Sequence, residues 1–324
     1  MVQAVRIHTY GGPEVLTYEP VDVPKPAAGE VRLRQRAAGL NYIDCYQRSG
    51  SYKLPALPAI LGMEGAGDVI ALGEGVTGLA IGDRVAYAMS VGGYAEERNI
   101  AAGRVVKLPD AITDATAAAM MLQGMTVRYL FCQTFPVTNK TVMLFHAAAG
   151  GVGLIACQWA RALGATLIGT VGSDEKAALA LAYGAAHVIN TKTENFVERV
   201  REITGGSLCD VVYDGVGKDT FAGSLDCLKP RGLAVSFGSA SGAVPPLELA
   251  TLSAKGSLFV TRPTLATYIA KREDLVANAT DLFAMVETGA VKISVNQIYA
   301  LADAAQAHRD LEARKTTGSS VFVM

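Results

Sequence analysis

The run Val142-Met-Leu-Phe-His-Ala-Ala-Ala-Gly-Gly-Val-Gly153 carries the clearest chemical potential in this chain. An apolar strand leads into a turn of small residues and then into a helix. Gly150 lets the backbone approach a pyrophosphate, and Gly153 lets helix and strand pack closely. The helix N-terminus offers amide N–H groups and a positive dipole end to the anion. Against the G-x-G-x-x-G template the first glycine is replaced by Ala148. The competing reading is a glycine turn that serves packing alone.

The next strand decides which dinucleotide fits. Sites for NAD place an acid about 20 residues on, where it holds the ribose 2′-OH. Here the strand ends Thr170-Val171-Gly172-Ser173, without an acid. Asp174 and Glu175 follow and read as the opening of a helix, whose dipole favours acids there. Lys176 comes next. A small hydroxyl and a lysine suit a 2′-phosphate, so NADP is expected; alternatively Lys176 is an ordinary solvated lysine.

Other chemistries lack their residues. The 4 histidines include none between His8 and His146, and the only cysteines in that stretch are Cys45 and Cys132. No zinc set of usual spacing can be assembled from them, so no metal site is expected. The chain also has no Y-x-x-x-K, no G-x-S-x-G elbow and no P-loop. Hydride transfer without metal help is expected, to substrates that already carry a good electron acceptor.

These residues need a framework. Up to about residue 125 the chain reads as mostly β, with short runs at Gln3–His8, Glu30–Ala38, Asp68–Leu72 and Arg84–Tyr87 between Gly/Pro/Asp punctuation. A strand-then-helix rhythm follows. Strands are expected at Val142–Phe145, Leu167–Val171, His187–Ile189, Val211–Asp214, Leu233–Phe237 and Leu258–Val260. Helices are expected at Leu154–Leu163, Glu175–Tyr183 and Phe196–Thr204. Such a series makes a doubly wound parallel sheet, the Rossmann form of an α/β fold. After Pro263 helices are expected at Asp274–Thr288 and Leu301–Arg314, then a closing strand at Ser320–Val323. The C-terminus is therefore expected to return to the first domain: 1–125 with 264–324, and 126–263 as the inserted cofactor domain.

Composition narrows the class. Over 324 residues, 29 Lys+Arg balance 30 Asp+Glu for a net charge of −1, which argues against nucleic acid as a partner. Apolar residues make up 50% and charged residues 18%, enough for a large core. The 5 scattered cysteines read as reduced thiols, and the N-terminus has no apolar signal region, so a cytoplasmic protein is expected. Thr141 to Ala160 is uncharged and long enough to span a bilayer. The glycines at its centre favour a buried strand, turn and helix, so no membrane is expected.

Several blocks occur together in order: Gly11-Gly-Pro-Glu-Val-Leu16, Gly39-Leu-Asn-Tyr-Ile-Asp44, Arg48-Ser-Gly50, Gly62-Met-Glu-Gly-Ala-Gly67, Gly82-Asp-Arg-Val85, Ala147-Ala-Ala-Gly-Gly-Val-Gly153 and Val212-Tyr-Asp-Gly-Val-Gly217. With them the chain resembles, over essentially its whole length, the zinc-free quinone oxidoreductases of the medium-chain dehydrogenase/reductase superfamily, the ζ-crystallin group. Zinc-dependent relatives carry a cysteine and a histidine where this chain has Asn41 and Met63. The lobe that bears their structural zinc is missing after Ser90-Val-Gly-Gly-Tyr94. The resemblance implies a GroES-like, mostly-β catalytic domain beside the Rossmann domain, and a homodimer joined through the Rossmann sheets.

Position by position, the resemblance implies the following roles. Asn41 and Asp44 line the nicotinamide and ribose side of an interdomain cleft, and Tyr46 and Tyr52 orient the quinone oxygen. Thr126 and Tyr129 contact the cofactor. Gly151 and Val152 meet the pyrophosphate; Gly172, Ser173 and Lys176 serve the 2′-phosphate end. Phe237, Gly238 and Ser239 lie along the nicotinamide half. Arg262 and Arg314 close around the cofactor from the returning segment. Many relatives have Tyr where this chain has Thr191, a departure that implies a weaker hold on NADP.

Each role has a plainer alternative: half-buried aromatics for the two tyrosines, a turn or helix cap for Asn41 and Asp44, a surface loop for Arg262. His146 reads as structural and Cys45 as an inert apolar residue. The expected function is NADPH-dependent, metal-free reduction of a quinone. The alternatives are an enone or alkenal double-bond reductase, and a non-catalytic NADPH-binding protein of the crystallin kind.

Overall fold

The computed structural model describes all residues from Met1 to Met324. In chain order it runs β1 (Val2–Ile7), β2 (Leu16–Val21), β3 (Glu30–Leu40), α1 (Tyr42–Ser49), β4 (Ala59–Ile60), β5 (Glu64–Leu72), β6 (Arg84–Ala88), β7 (Glu97–Ala101), β8 (Val106–Lys107), α2 (Asp114–Ala118) and α3 (Met121–Tyr129). Alternating strands and helices follow: β9 (Val142–Phe145), α4 (Gly151–Ala162), β10 (Thr166–Val171), α5 (Asp174–Ala182), β11 (His187–Asn190), α6 (Phe196–Ile203), β12 (Cys209–Asp214), α7 (Phe221–Asp226), β13 (Leu228–Ser236), α8 (Leu249–Ala254), β14 (Phe259–Thr261) and α9 (Leu265–Tyr268). The chain closes with α10 (Arg272–Glu287), β15 (Val295–Ala300), α11 (Ala304–Glu312) and β16 (Ser319–Val323).

It divides into two compact units. The first comprises Met1–Met125, Ile269–Glu287 and Ile293–Met324; the second comprises Thr126–Tyr268 and Thr288–Lys292. The return therefore falls at Ile269, later than the expected residue 264. Tyr268 accounts for the shift. Its ring stacks on Tyr129 with centroids 4.4 Å apart, and its hydroxyl accepts from Thr134 Oγ1 at 3.0 Å, both within the second unit.

The first unit is built on two sheets, one in the order β15-β16-β3-β5-β6-β8 with β7 also on β3, the other β2-β1-β4. Strand β3 shows why it forms. Val31, Leu33 and Gln35 turn inward while Arg34 and Arg36 face solvent, the period of two that a one-sided sheet requires. Val31 and Leu33 pack with Val69, Val85, Tyr87, Ile100 and Val105. Strand β15 escaped the sequence reading. It is an edge strand with a short, weakly apolar alternation, and its parallel partner β16 lies well along the chain.

The second unit is a parallel six-stranded sheet in the order β11-β10-β9-β12-β13-β14. Its central strands are apolar throughout because helices cover both faces; Met143, Leu144, Leu167 and Ile168 are fully buried. Because every strand runs the same way, all carboxyl ends reach one edge. Strand order reverses between β9 and β12, where such sheets open a binding crevice. The apolar run from Thr141 to Ala160 resolves into β9, a turn and α4. No helix is long and apolar enough to cross a membrane.

Candidate functional site

The turn between β9 and α4 leaves a set of donors without partners. Gly150 caps α4 with extended backbone (φ −80°, ψ 174°), and no side chain caps the helix. The first intrahelical bond runs from Leu154 N to Gly150 O at 2.8 Å, so the amides of Gly151, Val152 and Gly153 have no acceptor within the helix. Ala147 is left-handed at φ 57° to make the turn. A Cβ on Gly153 would lie 2.5 Å from Ala147 O, so a side chain cannot be accommodated there without movement.

At the end of β10, Gly172 stands in open space: a Cβ built on it would meet nothing within 4 Å. Ser173 caps α5, its hydroxyl accepting from Lys176 N at 3.3 Å. The acids that follow are both engaged. Asp174 accepts from Asn190 Nδ2 at 2.8 Å. The Ser173 hydroxyl, helped by the charge of Lys192, holds the Glu175 carboxyl below its usual range. Thr191, after β11, turns its hydroxyl to Val171 O at 3.1 Å.

The ends of β12, β13 and β14 form a bonded cluster. Asp214 accepts from Val216 N and Gly217 N, each at 2.9 Å, and from Thr220 Oγ1 and Ser224 Oγ at 2.8 Å. His146 lies between Thr170 Oγ1 and Ser224 Oγ, 2.9 Å from each, and burial lowers its pKa. It is therefore a neutral structural residue, as its strand-end position suggested. Phe237 packs on Phe145 with centroids 5.6 Å apart. The Arg262 guanidinium donates to Ser236 O and Gly238 O at 3.0 Å and to Ser239 Oγ at 3.1 Å, fastening the loop after β13. Arg262 thus belongs to the second unit and not to the returning segment, because β14 is the last strand of its sheet.

In the first unit, Asn41 and Asp44 turn inward. Asp44 is fully buried at the start of α1, where Oδ2 accepts from Asn41 N and from Tyr94 OH, both at 2.8 Å. Asn41 donates to Glu64 Oε1 at 2.6 Å and accepts from Gln123 Nε2 at 3.2 Å. Leu122 N holds the other Glu64 oxygen at 2.7 Å, and Ser319 Oγ donates to Gln123 Oε1 at 2.6 Å. Burial pushes Asp44 up to about 7 and Glu64 up to about 8.

Through Oδ2, Asp44 fixes the start of the helix that Asn41 caps, while its Oδ1 has no partner. From α11, His308 approaches Tyr94 OH at 3.3 Å and accepts from Arg48 at 3.0 Å, while Arg48 pairs with Glu312 at 2.7 Å. Glu64, Tyr94, Gln123 and His308 escaped the sequence reading because their partners are remote in the chain. Glu64 and Tyr94 carried a signal, lying inside the blocks Gly62-Met-Glu-Gly-Ala-Gly67 and Ser90-Val-Gly-Gly-Tyr94.

Tyr46 and Tyr52 do come together, with ring centroids 5.2 Å apart and Tyr52 42% exposed. Arg314 is exposed just past α11, left-handed at φ 59°. Thr126 and Tyr129 are buried, and Tyr129 covers its ring with Tyr268, so neither offers much surface to a ligand. Met63 meets Gln47 Nε2 through its sulfur at 3.2 Å, and no group of three or more His, Cys, Asp or Glu side chains is placed to hold a metal ion. The uncapped α4 amides, the open space at Gly172 and the engaged acids of α5 fit a dinucleotide with a 2′-phosphate.

Known proteins agree with this architecture. Residues 27–110 match the family described as alcohol dehydrogenase GroES-like domain, and residues 151–283 that described as zinc-binding dehydrogenase. A quinone oxidoreductase of Pseudomonas aeruginosa is 53% identical over 324 residues, covering 100% of both chains. A 2-haloacrylate reductase of a Burkholderia species is 43% identical, covering 100% of this chain and 99% of its own. The crystal structure of Escherichia coli quinone oxidoreductase complexed with NADPH superimposes with a TM-score of 0.98 at 50% identity, over 99% of this chain and 100% of that one. On this identity and coverage, with the two-unit architecture and the turn between β9 and α4, the chain belongs to the quinone oxidoreductase family of medium-chain dehydrogenases and reductases.

Proposed function

We propose that this chain is an NADPH-dependent quinone oxidoreductase. The observation that carries the reading is the carboxyl edge of the parallel sheet. There the uncapped amides of α4 stand one strand from an α5 N-terminus that bears Ser173 and Lys176 and whose acids are already bonded. The relatives' names and the NADPH in the E. coli crystal support it.

Bound NADPH supplies the hydride. The chain binds, orients and excludes water. Gly151, Val152 and Gly153 donate to the pyrophosphate. Ser173 and Lys176 meet the 2′-phosphate. Phe237, Gly238 and Ser239, fastened by Arg262, line the nicotinamide half. Asn41 presents an amide held rigid by Glu64 and Gln123. Tyr46 and Tyr52 hydrogen-bond the quinone oxygen, and the proton comes from Tyr52 or from solvent.

The test is NADPH consumption with benzoquinone and with a simple alkenal, repeated with NADH and with a chelator. Chelator-insensitive, NADPH-preferring turnover of the quinone is expected. Turnover of the alkenal alone would instead favour a double-bond reductase, the second reading, supported by the haloacrylate relative. Tight NADPH binding without turnover of either would make it a binding protein.

The same reading includes a homodimer. Strand β14 is the open edge of its sheet, and Phe259 and Val260 on it are 60% and 38% exposed. An unprotected apolar edge favours pairing with a second copy. All five cysteines are free, which supports the reducing cytoplasm as its compartment.

A further inference from the structure

We propose that Asn190 is a specificity-determining residue: by holding Asp174, it makes the end of β10 select a 2′-phosphorylated cofactor over its unphosphorylated counterpart. The inference rests on the reading of this edge as a dinucleotide site. A free carboxylate there would accept from a ribose 2′-OH and would repel a 2′-phosphate.

Asp174 is near enough in sequence to play that part. The strand ends at Val171, and Asp174 opens the following helix. Its Oδ1, however, accepts from Asn190 Nδ2 at 2.8 Å. Asn190 pairs with Val171 across the two strands, so their ends are level.

The orientation of the Asn190 amide is forced. Its Oδ1 accepts from Lys192 N at 3.1 Å, so the NH₂ must face Asp174. Its own N–H donates to Glu194 Oε2 at 3.0 Å, which locks the segment, and the residue is only 7% exposed. The neighbouring Glu175 is held mainly by the Ser173 hydroxyl and a backbone amide at the start of α5, with a small contribution from the charge of Lys192. Asp174 is thus tied toward β11 through one oxygen and Glu175 is bonded to the Ser173 hydroxyl, while Lys176 stands in the same first turn.

The experiment measures binding, so it does not depend on the acceptor. Dissociation constants for NADPH and NADH are determined by nucleotide fluorescence titration for wild type, Asn190→Ala, Asp174→Asn and the double variant. Asn190→Ala is expected to reduce the NADPH-over-NADH preference about tenfold, less at high salt, because the Asp174 carboxylate is no longer tied toward β11 and can swing toward the phosphate. The double variant is expected to regain most of it, since the mobile carboxylate is gone. Asp174→Asn alone is expected to change the preference by less than about twofold. Equal losses in Asn190→Ala and the double variant would mean that Asn190 only supports the backbone, and would overturn the assignment. So would a large gain from Asp174→Asn, which tests the idea even if Asn190→Ala folds poorly. A wild type that binds NADPH and NADH equally would overturn the cofactor reading itself and this assignment with it. A wild-type preference that survives Asn190→Ala would overturn this assignment alone.

Discussion

The side-chain amide of Asn41 donates to Glu64 Oε1 across 2.6 Å, and both residues are buried. Glu64 accepts at its other oxygen from Leu122 N, so one carboxyl fixes the amide that α1 presents. Replacing Glu64 by Gln puts an NH₂ against one of two donors. Loss of about 1–3 kcal/mol of stability is expected, with lower kcat, measured by urea unfolding and steady-state kinetics. Unchanged kinetics would show that Asn41 needs no such support.

The same burial gives a pH signature. Asp44 and Glu64 are raised to about 7 and about 8 in the folded chain, above their ordinary 3.8 and 4.5. Between those limits the folded state holds protons that the unfolded state releases, so these groups make stability fall as pH rises through the window and level off above it. Asp44→Asn should flatten the decline. His308 acts oppositely: burial lowers it to about 3, so its contribution is present above the ordinary 6.5 and is lost as pH falls toward 3. Unfolding midpoints across pH for wild type and Asp44→Asn check the sign; parallel curves would refute it.

Two glycines should separate folding from binding. Gly153→Ala places a Cβ 2.5 Å from Ala147 O and should cost about 1–3 kcal/mol of stability. Gly172→Ala meets nothing within 4 Å. It should leave the melting temperature unchanged while weakening NADPH binding, because the new methyl enters space left for the cofactor. Calorimetry and a binding titration on both variants give the comparison.

Lys176→Ala should raise KM for NADPH about tenfold and leave KM for NADH nearly unchanged, the loss expected for one charge-assisted contact to the phosphate. An equal rise for both nucleotides would remove the 2′-phosphate role.

Tyr52→Phe keeps the ring packed on Tyr46 and removes only the hydroxyl. If that hydroxyl supplies the proton, kcat should drop about a hundredfold with KM for NADPH unchanged. Unaltered turnover would leave the proton to solvent.

Phe259→Glu puts a charge on the open β14 edge. If two copies pair there, the variant should elute as a monomer in size-exclusion chromatography while binding NADPH normally.

Much was legible from residues alone, and for local reasons. The β9–α4 turn could be read because strand, small-residue turn and helix are adjacent in the chain. The absence of an acid between Thr170 and Ser173, and of a Cys/His set with zinc spacing, is a matter of residue identity; that Asn41 and Met63 stand where zinc-dependent relatives carry ligands was implied by the family resemblance. The βα rhythm implied a parallel sheet, since crossovers of that length permit little else. What the tertiary structure decided depends on residues far apart in sequence. Strand order brings Gly150, Gly172, Thr191, Gly217, Phe237 and Arg262 to one edge. Distance along the chain hid the bonds of Asn41 to Glu64 and Gln123, of Asp44 to Tyr94, and of Asp174 to Asn190. The burial of Asp44 and Tyr129 was likewise decided by tertiary structure, because burial is a property of packing that no single stretch of sequence contains.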